Sequence, residues 1–210
     1  MMYGYKKDFP LNSLWGFEYA GPWQNEDQLQ KYYIDSKTYV SSTLVDKTKP
    51  DEVKSLLGLP KYVDRNNDGM LSEKDLFYLG NSDPLLYGGL NNTFHWKNLK
   101  FSFYFVYSLG GSIYNYLEMF MGGGKITNQY RYMLDAWHPV RNPDSWHPRP
   151  NKDYNLMPSS RQVHDASYLR LKTVSIAYTL PFKKGNIFKD MTFTLTGDNL
   201  ALWTAYNGFD

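Results

Sequence analysis

The chain is 210 residues long with a net charge of +2, no cysteine and an aromatic content of 18%. The small net charge gives no support to a nucleic-acid partner. The mean hydropathy is −0.57 and no apolar run approaches the roughly 20 residues that a membrane helix needs, which excludes a helical membrane protein. The absence of cysteine fits an envelope protein that needs no disulfides.

The chain begins without the apolar segment of an export signal, because residues 1–10 include Lys6, Lys7 and Asp8. For an exported protein we therefore expect the natural amino terminus to lie further upstream. Residues 11–20 form the first predicted strand, since Trp15, Phe17 and Tyr19 share one parity.

Residues 64–75 have the spacing of a calcium loop. Such a loop takes oxygen ligands at positions 1, 3, 5, 7, 9 and 12, with a backbone carbonyl at 7 and a glycine at 6. The matching ligands here are Asp64, Asn66, Asp68, Met70, Ser72 and Asp75. Asp75 is shorter than the usual bidentate Glu, which should loosen the site. We predict a structural Ca²⁺ that stiffens an external loop, and the alternative is a polar turn rich in Asp and Asn.

Two adjacent strands with strict alternation are predicted at about 86–97 and 99–109. In the second, Phe101, Phe103 and Phe105 share a face, while Lys100 and Ser102 share the other. Only the region of Lys97 and Asn98 separates the runs, which is typical of a hairpin.

The long stretch 110–164 is rich in aromatic residues and contains two Trp-His-Pro units. Aromatic faces stack on sugar rings, so Trp137 and Trp146, which begin these units, are the candidate ligand contacts, and self-packing of the loop is the alternative. The four histidines show no zinc spacing, and no catalytic group is indicated. We therefore expect no enzymatic activity.

The last predicted strands are about 165–181 and 191–203. Arg170 and Lys172 share the parity of Val174 and Ile176, which conflicts with an apolar face. Either the two cations project beyond the hydrocarbon, or a bulge shifts the phase.

Short links at one end of these strands and long ones at the other are typical of outer-membrane barrels, with apolar side chains outward and polar ones inward. About five strands are predicted, whereas single-chain bacterial barrels begin at about eight. The predicted fold is therefore all-β: an antiparallel up-and-down meander that forms an open partial wall of a transmembrane β-barrel, with external loops at about 21–85 and 110–164.

Several motifs resemble the SusC/RagA family of TonB-dependent outer-membrane transporters, in matching order over nearly the whole chain. The most specific is the run from Asp165 to Lys172, DASYLRLK, continued by SIAYTLP up to Pro181. The others are the segment 64–89, Trp137-His-Pro139 with Pro148-Arg149, and Gly197-Asp-Asn-Leu200 followed by residues 206–210. The family's amino-terminal plug and its closing strand are absent, so the resemblance implies the C-terminal part of a barrel.

The resemblance implies that the parent protein imports glycans or peptides across the outer membrane. The implied partners are the rest of the barrel and its plug, TonB acting through the plug, a SusD-like lipoprotein as lid, and outer-membrane lipid. A second hypothesis is a secreted, calcium-stabilised β-sandwich that binds carbohydrate, which would bury its apolar faces. The sequence does not distinguish the imported substrate, nor a truncated product from a subunit of a split barrel.

Overall fold

The computed structural model describes residues 6–25, 39–40, 43–44, 51, 54, 56–67, 71–122, 128–150, 157–182, 189–206 and 208. Its strands are β1 (Ser13–Gly16), β2 (Tyr19–Pro22), β3 (Tyr39–Val40), β4 (Thr43–Leu44), β5 (Pro60–Tyr62), β6 (Phe77–Asn81), β7 (Leu86–Trp96), β8 (Leu99–Leu109), β9 (Ser112–Tyr114), β10 (Val163–Asp165), β11 (Tyr168–Pro181) and β12 (Asp190–Thr204). Helical segments are α1 (Tyr116–Met121) and the 3-10 turns Glu73–Asp75, Arg131–Asp135 and Ser160–Gln162. Within the described ranges, no helix has the length and apolar character needed to cross a membrane.

The main feature is a four-stranded antiparallel sheet in the order β12-β11-β8-β7. Its strands are 11, 11, 14 and 15 residues long in chain order. The turn between β7 and β8 places Lys97 at a φ of +53°, the left-handed conformation that tight hairpin turns require. The predicted class, an all-β antiparallel fold with an open sheet, is confirmed.

The chain divides into two compact units. One consists of residues 82–113 and 165–210 and contains the four-stranded sheet. The other consists of residues 1–81 and 114–164 and contains an apolar core of Phe17, Tyr19, Trp23, Leu56, Leu59 and Tyr62. Large parts of the two predicted external loops thus contribute to a unit with its own core, which the sequence patterns did not indicate.

The predicted wall strand at 11–20 is wrong. The segment forms two short strands, β1 paired with β6 and β2 paired with β5, outside the four-stranded sheet. Between them, Phe17 exchanges backbone hydrogen bonds with residues 158–160, because its N–H donates to the Pro158 carbonyl and its carbonyl accepts from Ser160. Leu14 and Trp15 have opposite parity and both are buried, so the segment packs into a core instead of presenting one face to lipid.

Candidate functional site

The four-stranded sheet carries one apolar face that is open to its surroundings. The register places Phe101 opposite Phe94 and Ile176, and it continues the same face to Leu195. Neighbouring rings touch along this face, with the centroids of Phe103 and Phe105 5.6 Å apart. No residue in the four strands is buried, and Leu195 is 74% exposed. Such a continuous exposed apolar face marks a contact with lipid or with another apolar surface.

The opposite face carries hydroxyl groups that bond across the strands. Ser175 and Thr196 approach to 3.1 Å, and Thr179 and Thr192 approach to 2.9 Å. Lys100 lies on this face, opposite His95. The face is therefore suited to water, as alternation predicts for the inner side of a barrel wall.

A β-bulge in β11 resolves the conflict over Arg170. Leu171 pairs with Phe105 and Thr173 pairs with the adjacent Tyr104, so Lys172 is an extra residue that shifts the register. As a result Arg170 shares the polar face with Thr173, and the apolar face continues through Val174. Of the two alternatives left open by the sequence, the bulge is the one that occurs.

The predicted calcium loop is closed by its last residue. Asp75 is fully buried, and its Oδ1 accepts the backbone N–H groups of Arg65 at 3.0 Å and Asn66 at 3.4 Å. Its Oδ2 accepts the backbone N–H of Ser72 at 2.8 Å and the Ser72 hydroxyl at 3.3 Å. The carboxylate thus ties the start of the loop to its end. Asp64, Asn66, Ser72 and Asp75 lie in this segment.

Two of the six predicted ligands, Asp68 and Met70, lie outside the described residues. Among the residues that are described, no three His, Cys, Asp or Glu side chains come together as a metal cluster. The calcium site therefore stays a prediction.

The two candidate tryptophans differ in exposure. Trp137 is only 6% exposed, its backbone N–H donates to the His147 carbonyl, and its ring packs against Gly58. A buried ring does not present its face to a ligand in this conformation, so the structure gives Trp137 no support as a contact residue. Trp146 is 57% exposed and packs edge-on against Tyr19 at 5.1 Å, which leaves it as the better candidate.

A buried charged cluster around Glu118 was missed by the sequence analysis. The Glu118 carboxylate is 9% exposed, and it accepts hydrogen bonds from the Tyr132 hydroxyl at 3.0 Å and from His164 Nε2 at 2.9 Å. Arg161 is 4% exposed, and its Nε lies 4.0 Å from Glu118 Oε1. These residues come from separate short elements, so no spacing in the sequence could have revealed them.

His147 extends the cluster, since its ring stacks on Tyr132 at 4.5 Å. Burial, together with the positive charge of Arg161, lowers the pKa of His147, while Glu118 and Asp135 oppose the shift. Burial also raises the pKa of Tyr132 above its usual value. The cluster is therefore a packed electrostatic junction that fixes α1, the turn 131–135 and the segment 160–164.

No family model matches the chain. Over 202 residues it is 35% identical to TonB-dependent receptor P26 of Formosa agariphila, a match that covers 93% of the chain. It is 30% identical to TonB-dependent receptor P3 of the same organism over 95% of the chain. The chain spans 18% of the length of each of these relatives.

Among solved structures, the chain is similar to that of the RagAB peptide transporter, with a TM-score of 0.65, 21% identity, and 94% of this chain and 20% of that chain covered. The structure of the RagAB peptide importer in its closed-closed state gives a TM-score of 0.65 at 23% identity, with the same coverage. This likeness and the two-faced sheet define the class of fold, an antiparallel β-structure of the transporter-barrel type.

The two receptors from Formosa agariphila show the family of this chain. The chain belongs to the TonB-dependent receptors, as a segment of that family's sequence, and the resemblance to SusC/RagA proteins is confirmed. The relatives are named as receptors and transporters, in agreement with the prediction that the chain is not an enzyme.

Proposed function

We propose that the chain forms part of the wall and the adjoining loops of an outer-membrane, TonB-dependent nutrient importer. The observation that carries this proposal is the four-stranded sheet, whose apolar side chains are exposed on one face while hydroxyls and charges occupy the other. Its strands of 11 to 15 residues meet the roughly 9 to 11 residues that a membrane-crossing strand needs.

The two outer strands of the sheet need further partners in this setting. The described sheet ends at β7 on one side and β12 on the other. In lipid, each unpaired backbone group costs several kcal/mol, so an open edge is not viable there. We therefore propose that the remainder of a barrel pairs with both edges.

The cargo and protein partners follow from the relatives. We propose import of peptides or glycans, with the RagAB peptide transporter as the precedent for peptides. A SusD-like lipoprotein would act as the external lid, and TonB would act through a plug. Trp146 would contact cargo, because its exposed ring is held by Tyr19.

A single-cysteine scan along β8 tests the orientation of the sheet. The chain has no cysteine, so each introduced thiol is unique within residues 1–210, and any cysteine elsewhere in the complete reading frame is replaced by Ser. Phe101→Cys, Phe103→Cys and Phe105→Cys are compared with Ser102→Cys and Tyr104→Cys in the protein folded in lipid vesicles. A fluorophore on each thiol is exposed to brominated lipid and to an aqueous quencher. The proposal expects lipid quenching at the three phenylalanine positions and aqueous quenching at the other two.

The same scan distinguishes the importer wall from the β-sandwich hypothesis. A β-sandwich would bury the phenylalanine positions from both quenchers and would leave the protein soluble without detergent. The exposure of Leu195 and Phe193 argues against such burial. Protection of Phe101, Phe103 and Phe105 from both quenchers would overturn the importer proposal.

We also propose that the loop 64–75 holds a structural Ca²⁺. The support is the oxygen-rich spacing together with the closed loop, in which Asp75 brings both ends together. Because Asp75 already accepts backbone hydrogen bonds, the ion would have to share this carboxylate. Limited proteolysis should show the loop protected in millimolar calcium and cleaved in chelator.

Two variants test whether this protection comes from calcium bound at the proposed ligands. Asp64→Ala removes the oxygen of a proposed ligand and should abolish the effect of calcium. Glu73→Gln removes one exposed charge from the same loop at a position that is not a ligand, and it should leave the effect intact. Cleavage that is identical with calcium and with chelator in the unmodified protein would reject the site.

A further inference from the structure

The apolar face of the four-stranded sheet ends in a row of aromatic side chains near the β7–β8 turn. The register places Leu99 opposite both Trp96 and Tyr178, and it places Tyr178 opposite Phe193. The three aromatic residues of this row are exposed. Exposed aromatic residues at the end of an apolar sheet face are typical of the level at which lipid headgroups meet the hydrocarbon.

The length of the apolar face agrees with this placement. β8 runs for 11 residues from Leu99 to Leu109. At about 3.4 Å per residue it extends about 34 Å along the strand. A strand tilt of about 35–45° reduces this to about 24–28 Å along the membrane normal, which matches an apolar band about 25 Å tall. The row of Leu99 therefore lies at one margin of the band, and Leu109 lies at the other.

A lysine follows the aromatic row in the β7–β8 turn. Lys97 is exposed, and its backbone has the left-handed φ of +53°. Its ammonium lies 5.4 Å from the centroid of the Trp96 ring, so the side chain folds toward the residue that begins the row. The turn therefore places a positive charge next to the margin of the apolar face.

A second lysine lies where β11 and β12 are joined. The Lys189 carbonyl accepts the backbone N–H of Phe182 at 3.2 Å, and Lys189 is exposed. Alternation gives Lys189 the parity of Met191 on the apolar face, whereas Asp190 has the parity of the polar face. Residues 183–188 lie outside the described residues, and their sequence, KKGNIF, adds two lysines and no acidic residue. The charge beside this end of the apolar face is therefore positive.

We propose that this end of the apolar face binds anionic phospholipid, with Lys97 and Lys189 contacting the phosphate of the headgroup. A lysine stem covers apolar surface while its ammonium reaches a phosphate in the polar layer. The rings of Trp96, Tyr178 and Phe193 pack against the glycerol region and the upper acyl chains. A zwitterionic headgroup carries an ammonium of its own, which the two lysines repel, so a net negative headgroup is favoured. The inference rests on the proposed function, because the apolar face must lie in a membrane.

Phospholipids with brominated chains and different headgroups test this preference. Leu99→Cys carries a fluorophore on the lipid face, in a protein expressed from its complete natural reading frame with any other cysteine replaced by Ser. The protein is folded in phosphatidylcholine vesicles, and brominated phosphatidylglycerol or brominated phosphatidylcholine is added as a minor component. Quenching should report a preference for phosphatidylglycerol of at least about fivefold, the effect of one lysine near a charged surface. Leu109→Cys, at the other end of the same strand, should report a preference of less than about twofold.

Charge variants test whether the two lysines cause the preference. Lys97→Gln combined with Lys189→Gln should reduce it to less than about twofold. Lys100→Gln is the matched control, because Lys100 follows Leu99 but lies on the polar face opposite His95, and it should retain the preference. Unchanged quenching by phosphatidylcholine at position 99 shows that each variant still folds with this face in lipid. At about 1 M salt, where the screening length falls to about 3 Å, the preference should disappear.

Equal quenching by the two brominated lipids at position 99 of the otherwise unmodified protein would overturn the proposal. A preference that persists in the double lysine variant would also overturn it. Failure of the importer proposal gives a different result, because neither brominated lipid would then quench the fluorophore at position 99.

Discussion

Replacing Glu118 by Gln should strongly destabilise the unit of residues 1–81 and 114–164 against opening. The substitution keeps the shape and an acceptor for the Tyr132 hydroxyl, but it removes the counterion of Arg161, whose side chain is 4% exposed. Breaking a buried ion pair by removing one partner costs about 3–5 kcal/mol, because the remaining charge stays buried. Since Gln retains one hydrogen bond, we expect the lower end, about 3 kcal/mol, which is roughly a hundredfold in an opening equilibrium.

Native-state hydrogen exchange followed by mass spectrometry measures this change. The informative amides include that of Asn115, which donates to the Gln162 carbonyl at 2.8 Å, and that of Met133 in the turn 131–135. Glu18→Gln is the matched control, because Glu18 pairs with Arg65 at 2.8 Å with both side chains about two-fifths exposed. An exposed pair contributes at most about 1 kcal/mol, so exchange in the control should rise less than about fivefold. Equal exchange in the two variants would refute the assigned role of Glu118.

Because the pKa of His147 is lowered in the folded loop, the unfolded loop binds more protons as the pH falls below about 6.5, and the folded loop loses stability. Amide exchange in residues 136–150, corrected for its intrinsic pH dependence, should therefore be faster at pH 5.5 than at pH 7.5. His147→Phe keeps the ring but cannot charge, and it should remove that difference. Gly58→Ala should destabilise the same unit by about 2–4 kcal/mol, measured by hydrogen exchange, because Gly58 has a φ of +81° and an added Cβ would overlap the Trp137 ring. Unchanged exchange would contradict this packing. Phe103→Lys should lower the folding free energy in lipid vesicles by about 2–4 kcal/mol, while Ser102→Lys on the other face should have little effect, as urea titration would show. Equal effects of the two lysines would contradict the two-faced sheet.

The strands of the four-stranded sheet could be predicted because alternation of apolar and polar residues is a local pattern in the sequence. Alternation along Leu99–Leu109 assigns each side chain to a face without reference to the rest of the chain. The unit of residues 1–81 and 114–164 could not be predicted in the same way, because its pairings are distant. Phe17, for example, bonds to Pro158 and Ser160, and nothing in residues 11–20 encodes that partner.

The candidate site was also only partly predictable from the sequence. The spacing of residues 64–75 and the aromatic character of Trp146 are visible in the sequence. The burial of Trp137 is not visible there, because it depends on close packing of the ring against Gly58, which lies far away along the chain. The charged cluster around Glu118 also depends on distant segments, so residue type alone gave no sign of it.

The bulge at Lys172 links the lipid-facing and water-facing requirements of the sheet. In an uninterrupted strand, Arg170 would share a face with Val174 and Ile176, and a cation on a lipid face costs about 2–4 kcal/mol at the membrane midplane. A single extra residue moves Arg170 to the polar face and keeps Leu171 on the apolar face of the adjoining strands. Because the bulge changes the face of every residue before it, the single extra residue keeps the outer surface apolar and places the Arg170 guanidinium on the polar face. Deleting Lys172 should therefore lower the folding free energy in lipid vesicles, as urea titration would show, whereas Arg170→Gln, which keeps the register, should lower it less. Equal losses in the two variants would contradict the role of the bulge.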